Sequence, residues 1–314
     1  MRPGATWRDR VGPPRALLGI ALLLTAVTPA ALAAGSQILA AEARADGCSA
    51  SPAATARAAL RNASNRAFLN VRELLGRRGE LTGRVLSVDR AGRTGLSITL
   101  PPESYVGPRI GDLVVYTRDS VVGGSSVHLL DLEAGCDLAI SQLEDVVRSA
   151  IVDPTGSAVY VHSVTRGDRR DNGIHAIDLA TGVTRQVMAP LPLSAEHGPT
   201  FGTYLGWSLD GGALAVQSCG FEACRTRLLD VASAKVTTFD GHGQGALIGL
   251  TNEHLVTFAD CHGLPCDVLS IDLATGVSAM LAEDAVGASI SAAGDGAGIL
   301  TIQTAAAGVI EVTQ

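Results

Sequence analysis

Lysine is nearly absent from this chain. Lys235 is the only one among 24 basic residues, and 31 acidic residues leave a formal net charge of −7. That balance argues against a protein that tracks phosphate backbones, whose affinity comes mostly from Lys and Arg, so nucleic acid is not an expected partner. Aromatic residues make up only 4% of the chain, which argues against a carbohydrate groove paved with stacking rings. The sequence contains no nucleophile elbow, HExxH pair, P-loop or dinucleotide fingerprint. It also lacks an apolar run of the about 20 residues that a membrane span needs. The scarcity of Lys beside abundant Ala, Gly and Arg points to a GC-rich bacterial genome.

What is present at the N-terminus reads as a cleavable signal peptide over residues 1–33. Arg2, Arg8, Arg10 and Arg15 form a basic region, and Ala16 to Val27 (ALLGIALLLTAV) form a short apolar core that Thr25, Thr28 and Pro29 interrupt. Ala31-Leu32-Ala33 offers a small-x-small cleavage site. No adjacent Arg pair precedes the core, which favours the general secretory route. Cys48 follows Ala45-Asp46-Gly47, too polar a context and too far from the apolar core for lipoprotein acylation. The leader carries a net charge of +3, so its removal takes the formal charge from −7 to −10. The expected location is therefore outside the cytoplasm, in the periplasm, the cell envelope or the medium, with no membrane span retained after cleavage.

A repeat organises the rest. An apolar strand ending in an acidic residue recurs as HLLDLEAG (His128 to Gly135), HAIDLATG (His175 to Gly182), RLLDVASA (Arg227 to Ala234), LSIDLATG (Leu269 to Gly276) and VIEVTQ (Val309 to Gln314). The acidic positions, Asp131, Asp178, Asp230, Asp272 and Glu311, lie 47, 52, 42 and 39 residues apart. Spacing of this size, with several short strands per unit, is the signature of a β-propeller. Upstream of each acidic strand lies a second one: LVVYT, AVYVH, ALAVQ, HLVTF and ILTIQ, beginning at Leu113, Ala158, Ala213, His254 and Ile299. Turn sequences such as DPTG (Asp153 to Gly156) and LDGG (Leu209 to Gly212) precede several of these. With strands lettered A to D from the inner edge outward, those turns join A to B, the acidic motif ends C, and VTRQV, VTTF and VSAML, beginning at Val183, Val236 and Val277, are D strands. The recurrent Asp reads as a turn acceptor, because a group present in every unit is structural.

The expected fold is thus all-β: a propeller over residues 81–314 with five four-stranded blades. In that count TGRVLSV (Thr82 to Val88) completes the C-terminal blade as its fourth strand. Reading VLSVDRAG (Val85 to Gly92) as another C strand leaves six blades open. Residues 34–80 form an Ala-rich linker in which Leu60, Ala63, Ala67, Val71 and Leu74 recur at helical spacing. WSLDGGALAV (Trp207 to Val216) resembles the WSPDG-type repeat of TolB-like propellers, and VYVHS with IHAIDLATGV (Ile174 to Val183) resembles the YVTN-type propeller repeat. The resemblance covers residues of about 84–314 and implies blades; such motifs carry no function of their own. The resemblance does not extend to an N-terminal TolB domain.

Cys219 and Cys224 recur 42 residues later as Cys261 and Cys266. Equivalent points on adjacent blades are at least about 10 Å apart, whereas a shared zinc would need every sulfur about 2.3 Å from the metal. Each pair instead sits across the B–C connection of its own blade, where paired strands come within disulfide range. In an exported chain the expectation is two local disulfides. Cys48 and Cys136 complete an even set, and their bridge would pin the linker to the first blade.

Function is expected on the face that carries the long connections, since binding residues favour loops on a rigid scaffold. On it fall Glu144, Asp145, Glu196, His197, Asp240, His242, Glu283 and Asp284 from inter-blade links and Asp260 and His262 from the second cysteine loop, with Tyr204 and Trp207 as nearby aromatics. One reading is a solvated binding rim for a protein or small ligand at the cell envelope, without catalysis or cofactor. The other is a hydrolase or lyase at the channel mouth, using these carboxylates and histidines with Ca²⁺ as a candidate cation.

Overall fold

A computed structural model of the protein describes residues 51–313, apart from 62–66, 91–92, 121–122, 192–201, 221–223, 240–243, 260, 262–264, 293–297 and 306–307. The chain divides into two compact units, Met1–Gln37 and Ile38–Gln314, and every described residue belongs to the second. The signal-peptide reading therefore falls outside the described residues. No described helix is long and apolar enough to cross a membrane.

Ser51 and Pro52 open the one described helix, α1 (Pro52–Arg61), with Pro at the first helical position, where a missing N–H costs nothing. Twenty-one described strands follow in five antiparallel sheets. The first joins β1 (Ala67–Leu75), β2 (Leu81–Arg90) and β3 (Arg93–Leu100). The second runs β4 (Val106–Ile110), β5 (Leu113–Asp119), β6 (Ser125–Asp131) and β7 (Cys136–Leu143). The third comprises β8 (Val146–Val152), β9 (Ala158–Val164), β10 (Asp171–Asp178) and β11 (Thr184–Met188). The fourth comprises β12 (Gly202–Trp207), β13 (Ala213–Cys219), β14 (Cys224–Asp230) and β15 (Val236–Phe239). The fifth holds β16 (Gln244–Leu250), β17 (His254–Ala259), β18 (Cys266–Asp272), β19 (Ser278–Ala292), β20 (Gly298–Thr304) and β21 (Gly308–Thr313). This is the arrangement of a five-bladed β-propeller, and the sheets β4–β7, β8–β11 and β12–β15, called blades one, two and three below, follow the four-stranded A-to-D pattern read from the repeat.

Apolar clusters lie between successive sheets. Leu86, Val88 and Leu100 of the first sheet pack on Val114, Tyr116 and Leu130 of blade one. The other face of blade one meets blade two through Val115, Leu129, Val161 and Ile177. Blades two and three share Ile151, Ile174, Leu214 and Leu229. Alternate residues of one strand thus serve two seams, as the period of two requires.

Two expectations are corrected. The stretch Thr82 to Val88 does not complete the C-terminal blade: β2 pairs with β1 and β3 in a sheet of its own. The fifth sheet instead gains length because β19 serves twice, pairing with β18 through Ser278 to Ala285 and with β20 through Ala285 to Ala292. The helical spacing from Leu60 to Leu74 also misled. The helix ends at Arg61, and Ala67–Leu75 is a strand because β2 offers it an antiparallel partner, in continuous register from Ala67 to Leu74, a non-local term that overrides local spacing.

The recurrent aspartates act as read. Asp178 Oδ1 accepts from Ala180 N, Thr181 N and Thr181 Oγ1 at 2.8–2.9 Å, and Asp272 Oδ1 accepts from Ala274 N, Thr275 N and Thr275 Oγ1 at 2.7–3.0 Å. The turn then needs a left-handed residue. Gly182 and Gly276 supply it with φ of 71° and 72°, but the third copy has Ala234 there at φ 56°.

Candidate functional site

Strand direction sorts the connections. A strands start at the end that carries the B–C loops and D–A links, and finish at the end made of A–B and C–D turns. Both cysteine pairs lie at the first, loop-rich end. Cys219 and Cys224 are direct cross-strand partners of β13 and β14 and are bonded, with Cα atoms 3.9 Å apart. Cys261 and Cys266 are bonded with Cα atoms 4.7 Å apart. Cys136 is also in a disulfide, while the assignment of Cys48 as its partner lies outside the described residues.

The rim read from the sequence is partly described. Glu144 and Asp145 link β7 to β8 on that end, and Glu283 and Asp284 sit where β19 passes from one ladder to the next, with Asp284 at φ 55°. Glu196, His197, Asp240, His242, Asp260 and His262 lie outside the described residues. Asp145 faces an imidazole the sequence reading did not single out, His175. Burial holds its basicity down, and Asp145 pulls it back up in part. Tyr204 stands in the loop-end half of β12 and is 43% exposed. Trp207 is set apart from this rim. It ends β12 at the tight-turn end, where its Nε1 donates to Val152 O at 2.8 Å and its ring meets Tyr160 edge-on.

Where the inner strands begin, a pocket of about 340 Å³ opens among Arg84, Glu103, Ser104, Tyr105, Arg148 and Arg169. Arg84 Nη1 donates to Ser104 O at 2.6 Å, and Arg148 lies 3.6 Å from Glu103. Arg84 also lies 3.6 Å from Glu73, so the three guanidiniums face two carboxylates and the pocket is cationic on balance, the opposite of the acidic cation site read from the sequence. Among the described residues, no three of His, Cys, Asp and Glu are grouped to hold a metal ion.

Two polar networks, one buried and one half-buried, escape the sequence reading. In the seam between blades two and three, His162 Nε2 meets Asp171 Oδ1 at 2.9 Å and its Nδ1 meets Thr203 Oγ1 at 2.8 Å. Asp171 also accepts from Gly173 N and Leu191 N at 2.6 and 2.7 Å, and Arg227 lies 3.4 Å away. Burial pushes the Asp171 carboxyl up, but hydrogen bonds from His162, Leu191 and Gly173 hold it below the usual carboxylate range. With His162 at 0% and Asp171 at 3% exposure, this network staples two blades and meets no solvent. In blade one, Ser126 Oγ lies 3.1 Å from His128 Nε2, and His128 Nδ1 lies 3.2 Å from Asp137, which also accepts from Tyr116 OH at 2.7 Å. The repeat copy HLLDLEAG carries His128 of the second network, but its Asp137 and Tyr116 partners lie on neighbouring strands, and the repeat motif holds no sign of His162.

The chain matches no family model and no curated protein. Among solved structures it is similar to TolB from Acinetobacter baumannii (15% identity, TM-score 0.46, 74% of this chain and 60% of that one). It is likewise similar to an oligogalacturonate lyase in complex with manganese (13%, 0.48, 81% and 87%). A third similarity is to a prolyl endopeptidase (14%, 0.49, 76% of this chain and 38% of that one). The chain thus spans about three fifths of the TolB chain and less than half of the endopeptidase. These likenesses agree in fold, and the strand pairing above carries the propeller assignment by itself.

Proposed function

We propose that the protein is exported and works as a binding module at the cell envelope, engaging a protein or small ligand through the loop-rich ends of its blades. One observation supports this most: the two blade ends differ in kind. At the tight-turn end the C–D turns are closed on their own aspartates, whereas the loop-rich end carries the disulfide-bonded loops, the exposed Tyr204 and the arginine-lined pocket. Short disulfide loops add shape more than global stability, which suits a contact surface.

The test compares in-cell crosslinking of the wild-type chain with a variant carrying Glu196, His197, Asp240 and His242 as alanine and a second carrying Arg148→Ala with Tyr204→Ala. Loss of the same envelope partner in either supports the surface; recovery of every partner by both variants would rule it out. N-terminal sequencing of protein recovered outside the cytoplasm tests export, with a start near residue 34 expected.

A hydrolytic reading draws on the Ser126–His128–Asp137 chain, whose nitrogens face a hydroxyl and a carboxylate in the order a nucleophile and base require. Labelling by a fluorophosphonate that disappears in Ser126→Ala would favour it, and thermal shifts across divalent cations would bring in Ca²⁺.

A further inference from the structure

The cleft between blades two and three at the tight-turn end has none of the repeat's regularity. Cross-strand register places Ile151, Tyr160, Ala176 and Arg185 in one row across the four strands of blade two, on the face turned to blade three. The same positions on the B, C and D strands hold Val115, Leu129 and Leu138 in blade one and Ala215, Leu228 and Thr237 in blade three. Blade two therefore has a large ring where its neighbours have small aliphatic side chains, a methyl where they have leucine, and a cation where they have none. Trp207 stands opposite, at the end of β12, where the preceding blades end their A strands with Ile110 and Val152. The result is a cleft of about 340 Å³ walled by Tyr160, Ala176, Arg185, Trp207, Pro154 and Val231, within the range of small-molecule sites.

Two polar side chains in this cleft, Tyr160 and Arg185, make no hydrogen bond to a described residue. Tyr160 is only 4% exposed as a residue, and its hydroxyl, which makes no hydrogen bond to a described residue, is open to the cleft. Arg185 is exposed and makes no hydrogen bond or close ion pair with a described residue, although it acts electrostatically on the Asp178 carboxylate. Its guanidinium also acts on Tyr160, favouring the phenolate against burial and Asp153. The carboxylates nearby are already engaged. Asp153 takes Thr155 N on one oxygen and Ser157 Oγ on the other, and Asp178 Oδ1 takes three turn donors. Trp207 has its indole N–H committed to Val152 O, so it presents a fixed apolar surface.

We infer that this cleft is a binding site for a carboxylate carried on an aromatic or apolar body. The carboxylate pairs with Arg185, one of its oxygens accepts from Tyr160 OH, and the body packs between Trp207, Pro154 and Val231. Arg presents a planar fork that matches a carboxylate. The chemistry is shared by a free aryl acid and by the C-terminus of a peptide ending in an aromatic residue. The site is at the opposite end of the blades from the surface proposed above and stands or falls separately.

Trp207 makes the test direct. The only other tryptophan is Trp7, so the full chain carrying Trp7→Phe reports the cleft alone by fluorescence. Phenylacetate and acetyl-Gly-Gly-Phe with a free C-terminus are titrated beside phenylacetamide and the amidated peptide. Saturable change with either acid and none with its amide is expected. Tighter binding of the peptide would mark a chain terminus as the natural source, and tighter binding of phenylacetate a free acid. Arg185→Gln, on an exposed strand position, weakens binding at least about tenfold, and Tyr160→Phe, which removes no hydrogen bond to a described residue, about three- to tenfold. No response to either acid, equal response to the amides, or unchanged affinity in both variants would overturn the assignment.

Discussion

The seam between blades two and three and the seam between blade three and the fifth sheet use the same strand position in opposite ways. His162 and Gln217 are equivalent residues of their B strands, and each bonds to the inner strand of the next sheet: His162 to Thr203, Gln217 Oε1 to Leu247 N at 2.6 Å. Around His162 the seam buries an aspartate and an arginine, whereas the described side chain bonded to Gln217 is the neutral Thr226. Inter-blade bonding is thus part of the repeat, while the chemistry that supplies it is free to vary. At the other end of the first seam the same blade departs from the repeat again, at Tyr160, Ala176 and Arg185. The difference locates specialisation in one seam of an otherwise periodic molecule.

The largest expected effect breaks that seam. Asp171→Ala strands His162 and Arg227 in a dry interface and lowers stability by about 3–5 kcal/mol, read by urea denaturation. The pH dependence follows from the direction of its shift. Because the folded carboxyl titrates below its unfolded value of about 3.9, its stabilisation is full above that pH and is lost as pH falls through the folded value. Wild-type stability should drop below pH about 4, and Asp171→Asn should drop less over the same interval. Gln217→Ala, in the neutral seam, removes the acceptor of the Leu247 N–H and costs about 1–3 kcal/mol, with no change in acid response.

Replacing Cys219 and Cys224 together by serine removes a short-loop constraint worth about 2 kcal/mol, measured the same way, and should leave both seams intact. Smallest is a gain. Ala234 holds a left-handed conformation where Gly182 and Gly276 serve the other copies, so Ala234→Gly should stabilise by about 1 kcal/mol. A loss there would show that the third turn differs from its siblings in more than its residue.

The periodic part of this fold is local and was legible. The B and C strands, the Asp-bonded turns and the two short disulfides each depend on residues within one unit, so spacing alone finds them. What escaped depends on distant partners. Nothing near Thr82 reveals that Ala67–Leu75 will pair with its strand, and nothing near His162 reveals Thr203 or Arg227, which arrive from another blade. The rim was placed from loop lengths, which give an end of the blade but not the charge of the pocket beneath it; Arg84, Arg148 and Arg169 come from three separate segments. Trp207, which the sequence offers either as a near-rim aromatic or as a ring packed between blades, packs against Tyr160 and Val152 of the neighbouring blade.

The claim that one seam is specialised is tested most directly by giving blade two the residues of blade three. A chain with Tyr160→Ala, Ala176→Leu, Arg185→Thr and Trp7→Phe keeps its apolar volume in the row and its His162–Asp171 network. The account predicts that it folds cooperatively and that Trp207 fluorescence no longer responds to phenylacetate or to the peptide acid. A folded variant that still responds as the Trp7→Phe chain does would contradict it.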